Sequence, residues 1–153
     1  MFNLEAFQEF REGITRLRDG DPAGALIRLR RASELAPLNA YYLSYQGLAL
    51  AQAEHNWDEA ERLCSAALRM KRRQPQLYLN LFEVYLLAGQ RQRAAEVLSR
   101  GLRFARRDFR LGLALEKLAM RRSPVFHALP RQHFLNRHLG KLRHVALQYL
   151  AEF

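Results

Sequence analysis

Two residue types in this chain could do chemistry unaided: the thiol of Cys64 and the imidazoles of His55, His127, His133, His138 and His144. A lone cysteine closes no internal disulfide. As a nucleophile it would need a base or a positive neighbour to stand as thiolate. His133, His138 and His144 follow one another at intervals of 5 and 6 residues. A helical two-histidine metal site wants an interval of roughly three or four, and no cysteine or carboxylate joins these rings. No phosphate-binding glycine loop, nucleophile elbow or paired-acid motif occurs. The expectation is a protein that is not an enzyme and carries no metal or other cofactor.

Arginine is the third chemical resource. It supplies 22 of the 25 positive charges, leaving only Lys71, Lys117 and Lys141. Guanidinium groups grip carboxylates and phosphates through paired N–H donors. Residues 1–60 carry a net charge of −3 and residues 61–153 one of +13, which together make the net +10. Such asymmetry points to an acidic partner. The positive half concentrates in two clusters, around Arg69 to Arg73 and around Arg100 to Arg110. The candidate basic patch is Arg69, Arg72, Arg73, Arg103, Arg107 and Arg110. Arginines near helix C-termini also satisfy free carbonyls and meet the negative dipole end, which accounts for some of them without any ligand. Nothing resembles a base-reading element, so nucleic acid stays an alternative to a protein partner.

These residues must be held by helices. Apolar side chains recur at helical spacing, as in Phe7, Phe10, Ile14 and Leu17, and no stretch alternates like a strand. Asn3 caps a first helix over about 4–18, closed by Gly20. Asp21-Pro22 opens a second, to about 35, because an aspartate caps well and proline suits the first helical position. Asn39 caps a third, to about 53. His55-Asn56 make the next turn. A fourth helix runs from Trp57 to near 71, a fifth from Pro75 to near 89, a sixth over 91–105. Asp108 caps a seventh, to about 120. Two prolines, Pro124 and Pro130, predict an extended linker, and an eighth helix follows over about 134–150. No apolar run approaches the ~18 residues of a membrane span. The first ten residues lack the apolar core of a signal peptide. A cytoplasmic location is expected.

The helices repeat. Ala25, Ala60 and Ala94 are spaced 35 and 34 residues apart, and Ala32, Ala67 and Gly101 keep the same interval seven residues later. Leu29, Cys64 and Leu98 lie between them in register, which makes Cys64 a small core residue rather than a nucleophile. Gly13 and Gly47 are 34 apart. The third helix pair has Phe82 in that slot. The extra residue between Gly47 and Ala60 is expected to lengthen the turn at His55-Asn56. A fixed period of this length marks stacked helix pairs that touch where side chains shrink.

With Trp57, Pro37 and the Gly20-Asp21 turn, the pattern resembles the tetratricopeptide repeat family over about Phe7 to Arg107. The resemblance implies an all-α, right-handed superhelical stack of three helix pairs, over about 6–39, 40–74 and 75–107. A cap helix over 108–122 and an extension over 123–153 follow. In the family, the first helices of each pair line a concave groove for a peptide or a partner's helix. Carried over by register, that groove holds Phe7, Arg11, Tyr41, Tyr45, Gln52, Gln76, Asn80 and Glu83. Tyr45 and Asn80 are expected on faces that repeat packing need not bury. Some members clamp the terminal carboxylate of chaperones with basic and amide side chains. Here only Asn80 fits that clamp, since Glu83 and Ile14 occupy two of its slots. The tail loosely resembles those of uncharacterised bacterial repeat proteins. The resemblance implies a scaffold or adaptor binding a protein segment, with self-association open. Two alternatives are a small secretion-type chaperone and a basic nucleic-acid-associated protein.

Overall fold

The computed structural model describes residues 3–105 and 108–120. Seven helices occupy them: α1 Leu4–Arg18, α2 Pro22–Leu35, α3 Ala40–Glu54, α4 Trp57–Met70, α5 Pro75–Leu87, α6 Arg91–Phe104 and α7 Phe109–Met120. No strand occurs among the described residues. Three hairpins, α1/α2, α3/α4 and α5/α6, stack in chain order, with α3 packed against both α1 and α5. The described residues as far as Leu118 form one compact unit. The architecture is an all-helical solenoid. The expected eighth helix, Arg107 and the four histidines from His127 onward lie outside the described residues.

Local chemistry sets the helix ends. Asn3 accepts a hydrogen bond from the Ala6 N–H at 3.0 Å, Asp21 from Gly24 at 2.8 Å, and Asn39 from Tyr41 at 3.0 Å. Each satisfies a backbone donor that the first helical turn leaves free. Gly20 and Gly89 adopt φ of +79° and +73° and reverse the chain after α1 and α5. His55 does so after α3, with φ 53°. That turn is not lengthened. α3 itself runs further beyond its glycine than α1 does, so the inserted residue extends the helix and only His55-Asn56 remain between α3 and α4.

Within the first two pairs the close approach is made by the first helix. A Cβ on Gly13 would lie 2.6 Å from Leu29 Cγ, and one on Gly47 would lie 2.8 Å from both the Ala60 carbonyl oxygen and Cys64 Sγ. The third pair reverses the arrangement. Phe82 stays half-buried, and the contact is made by Gly101 on α6, where a Cβ would meet Tyr78 Cγ at 2.9 Å. Ala25, Ala32, Ala60, Ala67 and Ala94 are wholly buried.

The main core joins the second and third pairs through Leu77, Tyr78, Leu81, Leu98 and Cys64, and Leu111 and Leu118 of α7 complete it. α7 is thus anchored on the third pair, and the Arg91 guanidinium donates to the Leu118 carbonyl at 2.9 Å. The first pair has smaller clusters of its own around Leu26 and Leu29 and around Ala6 and Ala32. Phe10 bridges it to α3, 4.6 Å from the Tyr42 ring centroid and 5.4 Å from that of Tyr45. On the opposite edge, Glu61 of α4 accepts from Tyr85 at 3.0 Å and pairs with Arg93, whose guanidinium lies over the Tyr85 ring.

Candidate functional site

The first helices of the three pairs line one concavity of about 450 Å³. α1 supplies Ile14, Leu17 and Arg18, and α3 supplies Tyr45, Leu48 and Gln52. α5 supplies Gln76, Leu79, Asn80, Phe82 and Glu83. Gln76, Leu79, Asn80 and Glu83 share a face because they recur at helical intervals, as do Tyr45, Leu48 and Gln52. Five of the eight groove residues read from the sequence therefore meet in one cavity: Tyr45, Gln52, Gln76, Asn80 and Glu83. Phe7, Arg11 and Tyr41 lie outside its lining, further toward the N-termini of α1 and α3. Phe7 and Arg11 are exposed there. Tyr41 is half-buried, donates to Gln74 Oε1 at 2.6 Å and has the Lys71 ammonium 5.8 Å from its ring centroid.

Asn80 differs from its expected setting. It is 2% exposed. Its Nδ2 donates to Ser44 Oγ at 3.0 Å, and its Oδ1 accepts from Gln76 Nε2 at 2.8 Å. Its carboxamide stitches α5 to α3, so packing does bury it, and the side chain that fitted a carboxylate clamp is committed internally. Tyr45 is half-buried against Phe10 and also contributes to packing.

Three residues place charge in or beside the cavity. Arg18 lines one wall. Arg110, from α7, donates to Gln76 Oε1 at 3.3 Å while Asp108 holds its guanidinium. Glu83 keeps an edge open to water, yet the surrounding helices desolvate its carboxyl and raise its pKa above the ordinary range. Burial also raises the Tyr45 phenol, Arg18 and Arg110 act to lower it, and Glu83 acts to raise it. All three charges thus bear on one hydroxyl. Sequence reading missed Arg18, although it follows Ile14 by one helical turn, and it assigned Arg110 to a separate patch.

The basic residues do not gather in one place. Arg69 and Arg72 border a different concavity, between α4 and α6. Arg73 and Arg103 are exposed elsewhere, and Arg110 reaches the groove. Cys64 is fully buried, its Sγ 3.4 Å from the Ser44 carbonyl, and burial pushes its thiol up to about 12. Among the described residues no group of His, Cys, Asp and Glu could hold a metal ion, and no helix is long and apolar enough to cross a membrane.

The chain's likenesses agree with this geometry. A tetratricopeptide repeat family model matches residues 51–118. No curated protein matches the chain. Among solved structures, the complex of the yeast Sti1 TPR2B domain with pHsp70 is similar, with a TM-score of 0.65 at 17% identity. It covers 78% of this chain and 100% of that one. The first TPR domain of Spaghetti (RPAP3), bound to the HSP90 peptide SRMEEVD, gives 0.64 at 16%, covering 78% and 97%. A Thermobaculum terrenum O-GlcNAc transferase mutant gives 0.64 at 21%, covering 77% of this chain and 23% of that enzyme.

Proposed function

We propose that this tetratricopeptide repeat protein is a non-catalytic scaffold or adaptor whose concave groove holds a short segment of a partner protein. The observation that carries this reading is the single cavity built from all three first helices. Its apolar floor of Ile14, Leu17, Leu48, Leu79 and Phe82 can bury side chains, and Gln52 and Arg18 can fix a backbone or a carboxylate. A similar structure holds the acidic peptide SRMEEVD, which supports an acidic segment here. Glu83 adds a condition: the residue facing it should be neutral or basic, because a carboxylate there would meet like charge in a desolvated setting. In this reading residues 1–122 are the binding module and 123–153 an appended segment. The buried thiol suits a reducing cytoplasm.

The test is selection of a displayed peptide library on the wild type and on an Arg18→Glu/Glu83→Lys variant. Arg18 is exposed and Glu83 keeps an edge open to water, and a circular dichroism melt checks that the variant keeps the fold. The expected result is a consensus on the wild type that pairs an acidic with a neutral or basic position. The variant should lose it or invert it. An identical consensus from both proteins would move the binding surface elsewhere.

A further inference from the structure

On the side formed by the second helices, α4 and α6 flank another concavity, of about 430 Å³. Its floor is Tyr78 and its apolar wall is Leu68 and Phe104. Arg69, Arg72 and Arg100 surround it. Gly101 creates the floor, since a Cβ there would strike the Tyr78 ring. The Tyr78 hydroxyl donates to the Arg72 carbonyl at 2.9 Å and fixes the loop that carries Arg72. Arg100 and Phe104 are one helical turn apart on α6 and therefore face the cavity together. Burial raises the Tyr78 phenol, and both Arg100 and Arg72 act to lower it, so both guanidinium charges sit close to one hydroxyl.

These arginines differ from four of the six in the first pair. Arg16, Arg28, Arg30 and Arg31 each pair with a carboxylate. Arg62, Arg93 and Arg110 are paired as well. Among the described residues no carboxylate pairs with Arg69, Arg72 or Arg100. Three unneutralised cations around a half-enclosed apolar hollow form an unmet demand for an anion with an adjoining apolar group. Phe104 is 45% exposed, an open apolar face beside the charges.

We propose that this hollow is a second binding site, independent of the groove, for an acidic protein segment. Neighbouring carboxylates would face Arg72 and Arg100, and an apolar side chain would lie against Leu68 and Phe104. Guanidinium–carboxylate pairs give the orientation, and exclusion of water by the apolar wall strengthens them. A protein segment fits better than nucleic acid. Strand binding uses a track of cations with open rings for stacking bases. Here the cations ring one hollow, Tyr78 is only 2% exposed, and Phe104 is a single open ring where a strand would need a succession of them.

The experiment is fluorescence anisotropy with the labelled peptide Asp-Glu-Glu-Leu-Glu-Asp and its Asn/Gln counterpart. The proteins are the wild type, Arg72→Gln/Arg100→Gln and the groove variant Arg18→Glu/Glu83→Lys. The acidic peptide should bind the wild type and the groove variant alike. Its affinity should fall at least tenfold in the arginine variant, and the neutral peptide should bind none of them. Circular dichroism melts confirm the fold, and Arg69→Gln serves in place of any variant that melts early. Equal binding by the arginine variant overturns the proposal. So does tighter binding of a labelled oligouridylate that the same substitutions abolish, which would make the site a phosphate reader.

Discussion

Asn80 shows how one buried amide can matter more to folding than to recognition. It holds Ser44 Oγ, whose residue is wholly buried, so truncating Asn80 leaves a hydroxyl without its partner. Such orphaning costs about 1–3 kcal/mol. Asn80→Ala should lower unfolding free energy by that much in urea titration, and Ser44→Ala/Asn80→Ala should recover part of the loss. Additive single losses would mean that the pair is not coupled. Glu83 behaves differently. Desolvation raises its folded pKa, so its ionised form is the one the fold disfavours. The penalty is absent below the unfolded carboxylate pKa of ~4, and it is complete once pH exceeds the raised folded value. Glu83→Gln should therefore stabilise the protein at pH 7 and have little effect near pH 3. A stabilisation that persists unchanged at low pH would point to packing instead of charge. The sequence could place Asn80 and Glu83 on one helix face but not say which would be covered. That depends on how deeply α3 nests against α5, a distance with no local signature.

Helix ends were the most legible feature, because a cap is local chemistry. Asn3, Asp21 and Asn39 accept the hydrogen bonds that their residue types suggest. Helix contacts were legible only as small-residue slots. The period marks Gly101 as one of them, but not that it receives Tyr78, since that requires knowing which partner supplies bulk. Space then decides the outcome of identical substitutions. Gly101→Ala and Gly112→Ala both replace a helical glycine, a change that usually gains about 1 kcal/mol. A Cβ at Gly112 meets nothing within 4 Å, whereas one at Gly101 strikes Tyr78. Gly112→Ala should raise the melting temperature and Gly101→Ala should lower it. Two shifts of the same sign would refute the reversed contact in the third pair. Ala60→Leu and Ala67→Leu add bulk at wholly buried positions and should each cost ~1–3 kcal/mol in the same assay.

The whole molecule is unevenly consolidated. The second and third pairs share one large core with α7, and the first pair relies on two small clusters and on Phe10. In a stack, each pair is stabilised by its immediate neighbours. Hydrogen exchange should therefore release α1 and α2 before α3 through α6, and uniform protection would contradict that gradient. The charges are sorted in space as well: Arg16, Arg28, Arg30 and Arg31 of the first pair meet carboxylates, whereas Arg69, Arg72 and Arg100 around the α4–α6 hollow meet none among the described residues. That spatial sorting could not be read from the sequence, because ion pairs such as Arg28–Glu9 join residues 19 apart through the fold. The position of Cys64 gives the molecule a built-in stopwatch. The chain has a single cysteine, sealed between α3 and α4 with its proton held well above neutral pH. A thiol reagent cannot modify it until that hairpin parts. The speed of labelling therefore times the parting of the central pair, without any engineered probe. A covalent dimer linked through this sulfur would be a record that two molecules had opened at once.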